Sequence, residues 1–122
     1  MSLTDRELLE LAAKAAGLGP VLCYEAARNC LRIGSRDSYR LWRPLQDDTD
    51  ALKLLVDLNF EVERNGGGER FYVGPFGEAK WIEDADDHWF EGADEQEVRS
   101  RALRTAIVRA AGEIGQAMQE GK

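Results

Sequence analysis

One histidine, two cysteines and three prolines in 122 residues leave little material for the commonest kinds of chemistry. His88 has no second histidine and no neighbouring cysteine, so the three or four nitrogen and sulfur ligands of a transition-metal site are absent. No serine or cysteine stands in a recognisable nucleophile motif, and spacing pairs His88 with no base partner. Cys23 and Cys30 are too few for a disulfide or zinc framework and read as reduced, buried structural thiols. No apolar run reaches the roughly 20 residues of a membrane span. The opening MSLTDRELLELAAKAAG is acidic and amphipathic, unlike a secretory leader, so the expected location is the cytoplasm. Positive charge is short as well. The 16 Lys and Arg against 23 Asp and Glu leave a net charge of −7, with a pI near 4.8. That balance argues against broad contact with DNA, RNA or an anionic membrane, and leaves room only for a local basic patch.

What is present suits one globular domain over residues 1–122: 43% of residues are hydrophobic and 32% charged. Thr4 and Glu7 form a capping box ahead of Leu8, Leu9, Leu11, Ala12 and Ala15, which predicts a helix over residues 5–16 ended by Gly17. Residues 21–41 are ambiguous. VLCYEAARNCLRIG fits a strand, a short helix and a strand, although the alternation around Leu31 and Ile33 favours an extended second part. SYRLW is extended up to Pro44. QDDTDALKLLVDLNF starts a helix capped by Asp47 or Asp48, with Ala51, Leu52, Leu54, Leu55 and Leu58 as its buried stripe and Asn59 as its end. FEVER, RFYVG and AKWIE then read as an antiparallel meander, with NGGG and PFG as its turns. The predicted class is α+β, an antiparallel sheet sandwiched by helices, with a long C-terminal helix over residues 95–119.

That last helix contains RTAIVRAAGEIG. At about 100° per residue, Val98, Ala102, Leu103, Ala106, Ile107, Ala110, Ile114 and Ala117 share one side, which is expected to cover the sheet. Arg99 falls within that side, and Arg101 and Arg104 on the outer face. Val108 falls nearly opposite the apolar side. An apolar residue there suggests a helix covered twice, and the expected cover is a second copy of the chain, with Ala111 and Met118 widening the contact.

Three groupings have ordinary explanations. Asp47, Asp48 and Asp50 lack the ligand spacing of a calcium loop and read as helix capping. NGGG lies between strands and lacks the lysine and helix of a phosphate loop. The acidic residues 83–97 around His88 read as a solvated loop. The arginines point elsewhere, because a guanidinium suits phosphate and also stacks on bases. Arg109, at the edge of the buried stripe, and Arg28 are the candidate phosphate holders. Tyr24 would share a face with Arg28 if residues 21–28 were helical. With Trp42 and Trp89 it is a candidate for stacking on a base. No catalytic group, metal ligand or cofactor site is assigned.

RELLELAAKAAG at 6–17, WRPLQDDTDALKLL at 42–55 and the AIVRAA helix at 103–111 resemble the phage ABA-sandwich family of phage and prophage proteins. The resemblance implies helices on two sides of an antiparallel sheet, and it implies no activity. In size and general build the chain is also similar to the Thoeris anti-defence sponges. That likeness implies a phage protein that holds a cyclic ADP-ribose-type messenger with arginines and aromatics, uncleaved, as an oligomer. The expected function is therefore non-enzymatic: sequestration of a small anionic signalling ligand such as a cyclic nucleotide by a homo-oligomer. The alternative is a protein–protein interaction module that uses the acidic segment 83–97.

Overall fold

The computed structural model describes residues 3–65 and 69–121. Helix α1 spans Asp5–Ala16, with the expected Thr4–Glu7 capping box and Gly17 as a left-handed C-cap. Strands β1 (Val21–Glu25), β2 (Cys30–Gly34) and β3 (Tyr39–Trp42) form one antiparallel sheet in sequence order. Residues 26–29 turn between β1 and β2 instead of forming a short helix. Asn29 holds a positive φ of 50° there, a conformation asparagine tolerates better than most residues. Tyr24 and Arg28 consequently lie on a strand and in a turn, and the helical face that would have paired them does not form.

Helix α2 spans Asp48–Asp57, and the Asp47 side chain accepts from the Thr49 amide. Ala51 and Leu54 are buried, but Leu52 is 60% exposed and does not join the stripe expected of it. Asn59, with φ of 57°, turns the chain into the next strand. Strands β4 (Phe60–Asn65), β5 (Arg70–Pro75) and β6 (Trp81–Asp84) make a second antiparallel meander. The NGGG turn expected between β4 and β5 lies outside the described residues. A 3-10 helix, Ala85–His88, follows β6. Helix α3 runs Glu95–Glu120 from a second capping box, Asp94 with Glu97.

The class is α+β, with antiparallel strands and a long C-terminal helix, as the sequence predicts. The strands divide into two three-stranded sheets where one was expected. Pro44 ends β3, and α2 then intervenes, so each sheet closes on its own hairpins. Sheet one is met by α1, while α3 lies against β5 and β6. Among the described residues no helix is long and apolar enough to cross a membrane.

Helix α3 is covered twice, but not by a second copy. Val98, Ala102, Ala106, Ile107 and Ala110 are buried on the side predicted for them, whereas Ala117 is exposed. Val108 is 0% exposed within one chain, because α1 packs along α3. Thr105, Val108, Gly112 and Gly115, spaced three and four apart, form the second buried face with Ala111. A Cβ on Gly112 would lie 2.5 Å from Leu8 Cδ1, and one on Gly115 would run into the Leu11 carbonyl oxygen. The helices therefore touch almost backbone to backbone at that end. Val108 and Ala111 belong to the core and are unavailable to a partner subunit.

Cysteine placement also differs from expectation: Cys30 is buried, but Cys23 is exposed on β1. Burial pushes the Cys30 thiol up, and the neighbouring Glu25 carboxylate adds to the effect.

Candidate functional site

Strand β6 inverts the usual pattern of an edge strand. Its register pairs Glu83 with Phe71 and Trp81 with Val73, and both β5 partners are buried. Side chains alternate along a strand, so Trp81 and Glu83 face inward and Ile82 faces out. Glu83 is 5% exposed and Ile82 53%. A buried carboxylate is costly unless donors surround it. Here the Trp81 indole donates Nε1–H to Oε1 at 2.6 Å, and His88 Nε2 lies 2.7 Å from Oε2. Arg109 Nη1 reaches Oε1 from α3 at 3.5 Å, with its guanidinium 5.4 Å from the Trp81 ring centroid. The tight 3-10 turn brings His88 back onto a residue only five positions earlier. Glu83 Oε2 can only accept, so His88 Nε2 carries the hydrogen of this contact.

His88 is also part of the wall of a cleft of about 370 Å³. Helix α3 supplies Arg101, Arg104, Thr105 and Arg109, α1 supplies Asp5 and Leu8, and connecting segments supply Asn29, Leu45 and Gln46. A second cleft of about 350 Å³ adjoins it, sharing Arg101 and Arg104 and adding Asp48, Phe90, Asp94 and Glu97 among its walls.

The three arginines are held differently. Arg104 donates Nε–H to the Leu45 carbonyl at 3.0 Å and Nη1–H to Asp48 Oδ1 at 2.6 Å, which ties α3 to the start of α2. Arg109 is shared between Glu83 and Trp81. Arg101 makes no ion pair among the described residues and lies 5.4 Å over the Phe90 ring. The cleft thus offers guanidinium donors to an anion, with the His88 ring and the Gln46 amide in the same wall.

The five residues singled out in the sequence do not gather in one place. Arg109 lines the cleft. Tyr24 stands behind it, donating its hydroxyl to Asn29 Oδ1 at 2.6 Å, while Asn29 Nδ2 donates to Asp5 Oδ2 at 2.8 Å. Arg28 is away from the cleft wall, with Nε 2.6 Å from Glu25 Oε1, and Arg32 binds the same carboxylate. Trp42 is 3% exposed and packed in the core, so its ring has no open face for a base. Trp89 is 67% exposed and follows His88 without joining the cleft wall.

His88, Arg101 and Arg104 line the cleft and Glu83 stands behind His88, although none of the four is among the five candidates read from the sequence. One signal was legible: in WIED, period two places Glu83 on the face of Trp81. His88 was read with a solvated loop, yet it is half-buried on Glu83. Arg101 and Arg104 do lie off the sheet-facing side; Arg101 stays exposed beside Phe90, while Leu45 and Asp48 hold Arg104. Among the described residues no three of His, Cys, Asp and Glu gather as a metal site. Comparison with protein-family models, with curated proteins and with solved structures finds no match for this chain.

Proposed function

We propose that the protein binds a small phosphate-bearing anion of the cyclic-nucleotide kind in the cleft and holds it without turnover. The observation that carries this reading is the convergence of Arg101, Arg104 and Arg109 with His88 in a chain of net charge −7. Guanidiniums are kept close to one another where an anion can join them, since their donors match phosphate geometry. The cleft volume of about 370 Å³ suits a small organic ligand. The setting proposed with it is a phage or prophage accessory protein in the bacterial cytoplasm that withholds a signalling nucleotide from host defence. The resemblance at residues 6–17, 42–55 and 103–111 supports that setting.

The test is retention. Purified protein is incubated with a panel of signalling nucleotides, desalted and denatured, and the released ligand is weighed by mass spectrometry. The expected result is one nucleotide recovered intact, with Arg101→Gln lowering affinity by at least about tenfold, the weight of one charge-assisted hydrogen bond. Among the described residues Arg101 makes no hydrogen bond or ion pair, only its contact with the Phe90 ring, so the variant should lose no more than about 1 kcal/mol of stability. Recovery of a cleaved product would end the non-catalytic reading. Free recovery of every nucleotide would end the anion reading.

One observation favours a second reading, a protein-binding surface. Trp89 and Phe90 are 67% and 39% exposed beside exposed Asp86, Asp87 and Glu91, and exposed tryptophans often anchor interfaces. A partner held there would be lost with Trp89→Ala and kept with Arg101→Gln, the opposite of the pattern expected for a ligand in the cleft.

A further inference from the structure

The cleft's charges are not equally available to a ligand. Arg104 is already neutralised by Asp48 at 2.6 Å and its side chain is only 18% exposed. Arg109 faces the buried Glu83 carboxylate. Arg101 alone has no carboxylate partner among the described residues, and its stacking on Phe90 leaves the guanidinium edge free for hydrogen bonds. Asp5 adds a negative charge to the wall. A ligand with one negative charge meets one uncompensated guanidinium. Each further negative charge finds only guanidiniums already paired with Asp48 and Glu83, and meets the Asp5 carboxylate in the same wall.

We propose that the cleft selects a singly charged phosphodiester and discriminates against phosphate monoesters and polyphosphates. This selectivity rests on the reading of the cleft as an anion site and names the class of anion. Recognition then has two parts. Arg101 supplies the counter-charge, and Arg104 and Arg109 contribute N–H donors without surrendering their carboxylates. The other polar wall groups, Asn29, Gln46 and His88, address the remainder of the ligand.

The experiment measures the affinity of the full chain for the cyclic monophosphate, the monophosphate and the triphosphate of each common ribonucleoside, by calorimetry at one ionic strength. For at least one base, the cyclic form should bind at least tenfold more tightly than the other two. Equal or tighter binding of the monophosphate or triphosphate of that base would overturn the selectivity while leaving the anion site standing. Binding of none of them would remove both. Asp48→Asn provides a second check, because Asp48 is 75% exposed and its loss frees the Arg104 charge. The variant should narrow the gap between cyclic form and monophosphate at least threefold, through tighter monophosphate binding. An unchanged ratio in a folded variant would show that shape, not charge count, sets the preference, and would overturn the proposal.

Discussion

Gly115→Ala should destabilise the protein by about 2 kcal/mol and lower Tm by roughly 6–12 °C, although alanine is the better helix former. On an open helix surface the same change stabilises by about 0.8–1 kcal/mol, so the prediction is a reversal of sign. The reason is the Leu11 carbonyl oxygen of α1, which a Cβ on Gly115 would strike. Backbone cannot swing aside as a side-chain tip can. Helix α1 would have to lift from α3, loosening the packing around Val108 and Ala111. At Gly112 the obstacle is the Leu8 side chain instead, at 2.5 Å from Cδ1. Gly112→Ala should accordingly cost less, because a Leu8 rotamer change relieves part of the clash. Thermal denaturation of the two variants beside the parent decides the matter. A Gly115→Ala protein as stable as the parent, or more stable, would mean that the close contact between α1 and α3 is wrong.

The second large effect is expected at Glu83. Glu83→Ala should cost about 3 kcal/mol, because breaking a buried, charge-assisted cluster strands the partners that remain. Three groups lose their acceptor at once: the Trp81 indole, the His88 imidazole and the Arg109 guanidinium. Glu83→Gln should be milder. Its amide oxygen can still accept from Trp81, and its NH2 can donate to His88 once the imidazole moves its proton to Nδ1. The neighbouring Ile82 is 53% exposed, so Ile82→Thr should change stability by no more than about 0.5 kcal/mol. Denaturant unfolding of the three variants would show the contrast. If Glu83→Ala and Ile82→Thr cost the same, the carboxylate is not a structural hub, and its place beside the cleft would need another explanation.

On the proposed reading of the cleft, the same cluster would link stability to ligand binding. Glu83 orients His88 and restrains Arg109, two groups in the cleft wall. Preorganised donors bind with less loss of side-chain freedom than mobile ones.

Local chemistry alone determined much of the protein. Capping at Thr4–Glu7 and Asp47, the left-handed Gly17 and the alternation in RFYVG and AKWIE depend on contacts within a few residues, and they were legible from the chain. The α+β class and the extent of α3 followed from the same periodicities. Even the double covering of α3 was readable, since Val108 broke the apolar stripe.

Tertiary structure decided what periodicity leaves open. A helical wheel reports that a face must be covered but not by what, and here α1 of the same chain covers it, through the small residues Gly112 and Gly115. Whether residues 26–29 turn or coil was settled by strand pairing between β1 and β2, which separated Tyr24 from Arg28. The cleft is the clearest case. Asp5, Asn29, Gln46, His88 and Arg101 come from segments spread across most of the chain, and no local pattern brings them together. Hydrogen-bonding residues so far apart in sequence meet only after the core has formed, because burial of Leu9, Leu31, Leu54, Val73 and Val108 sets where each segment lies.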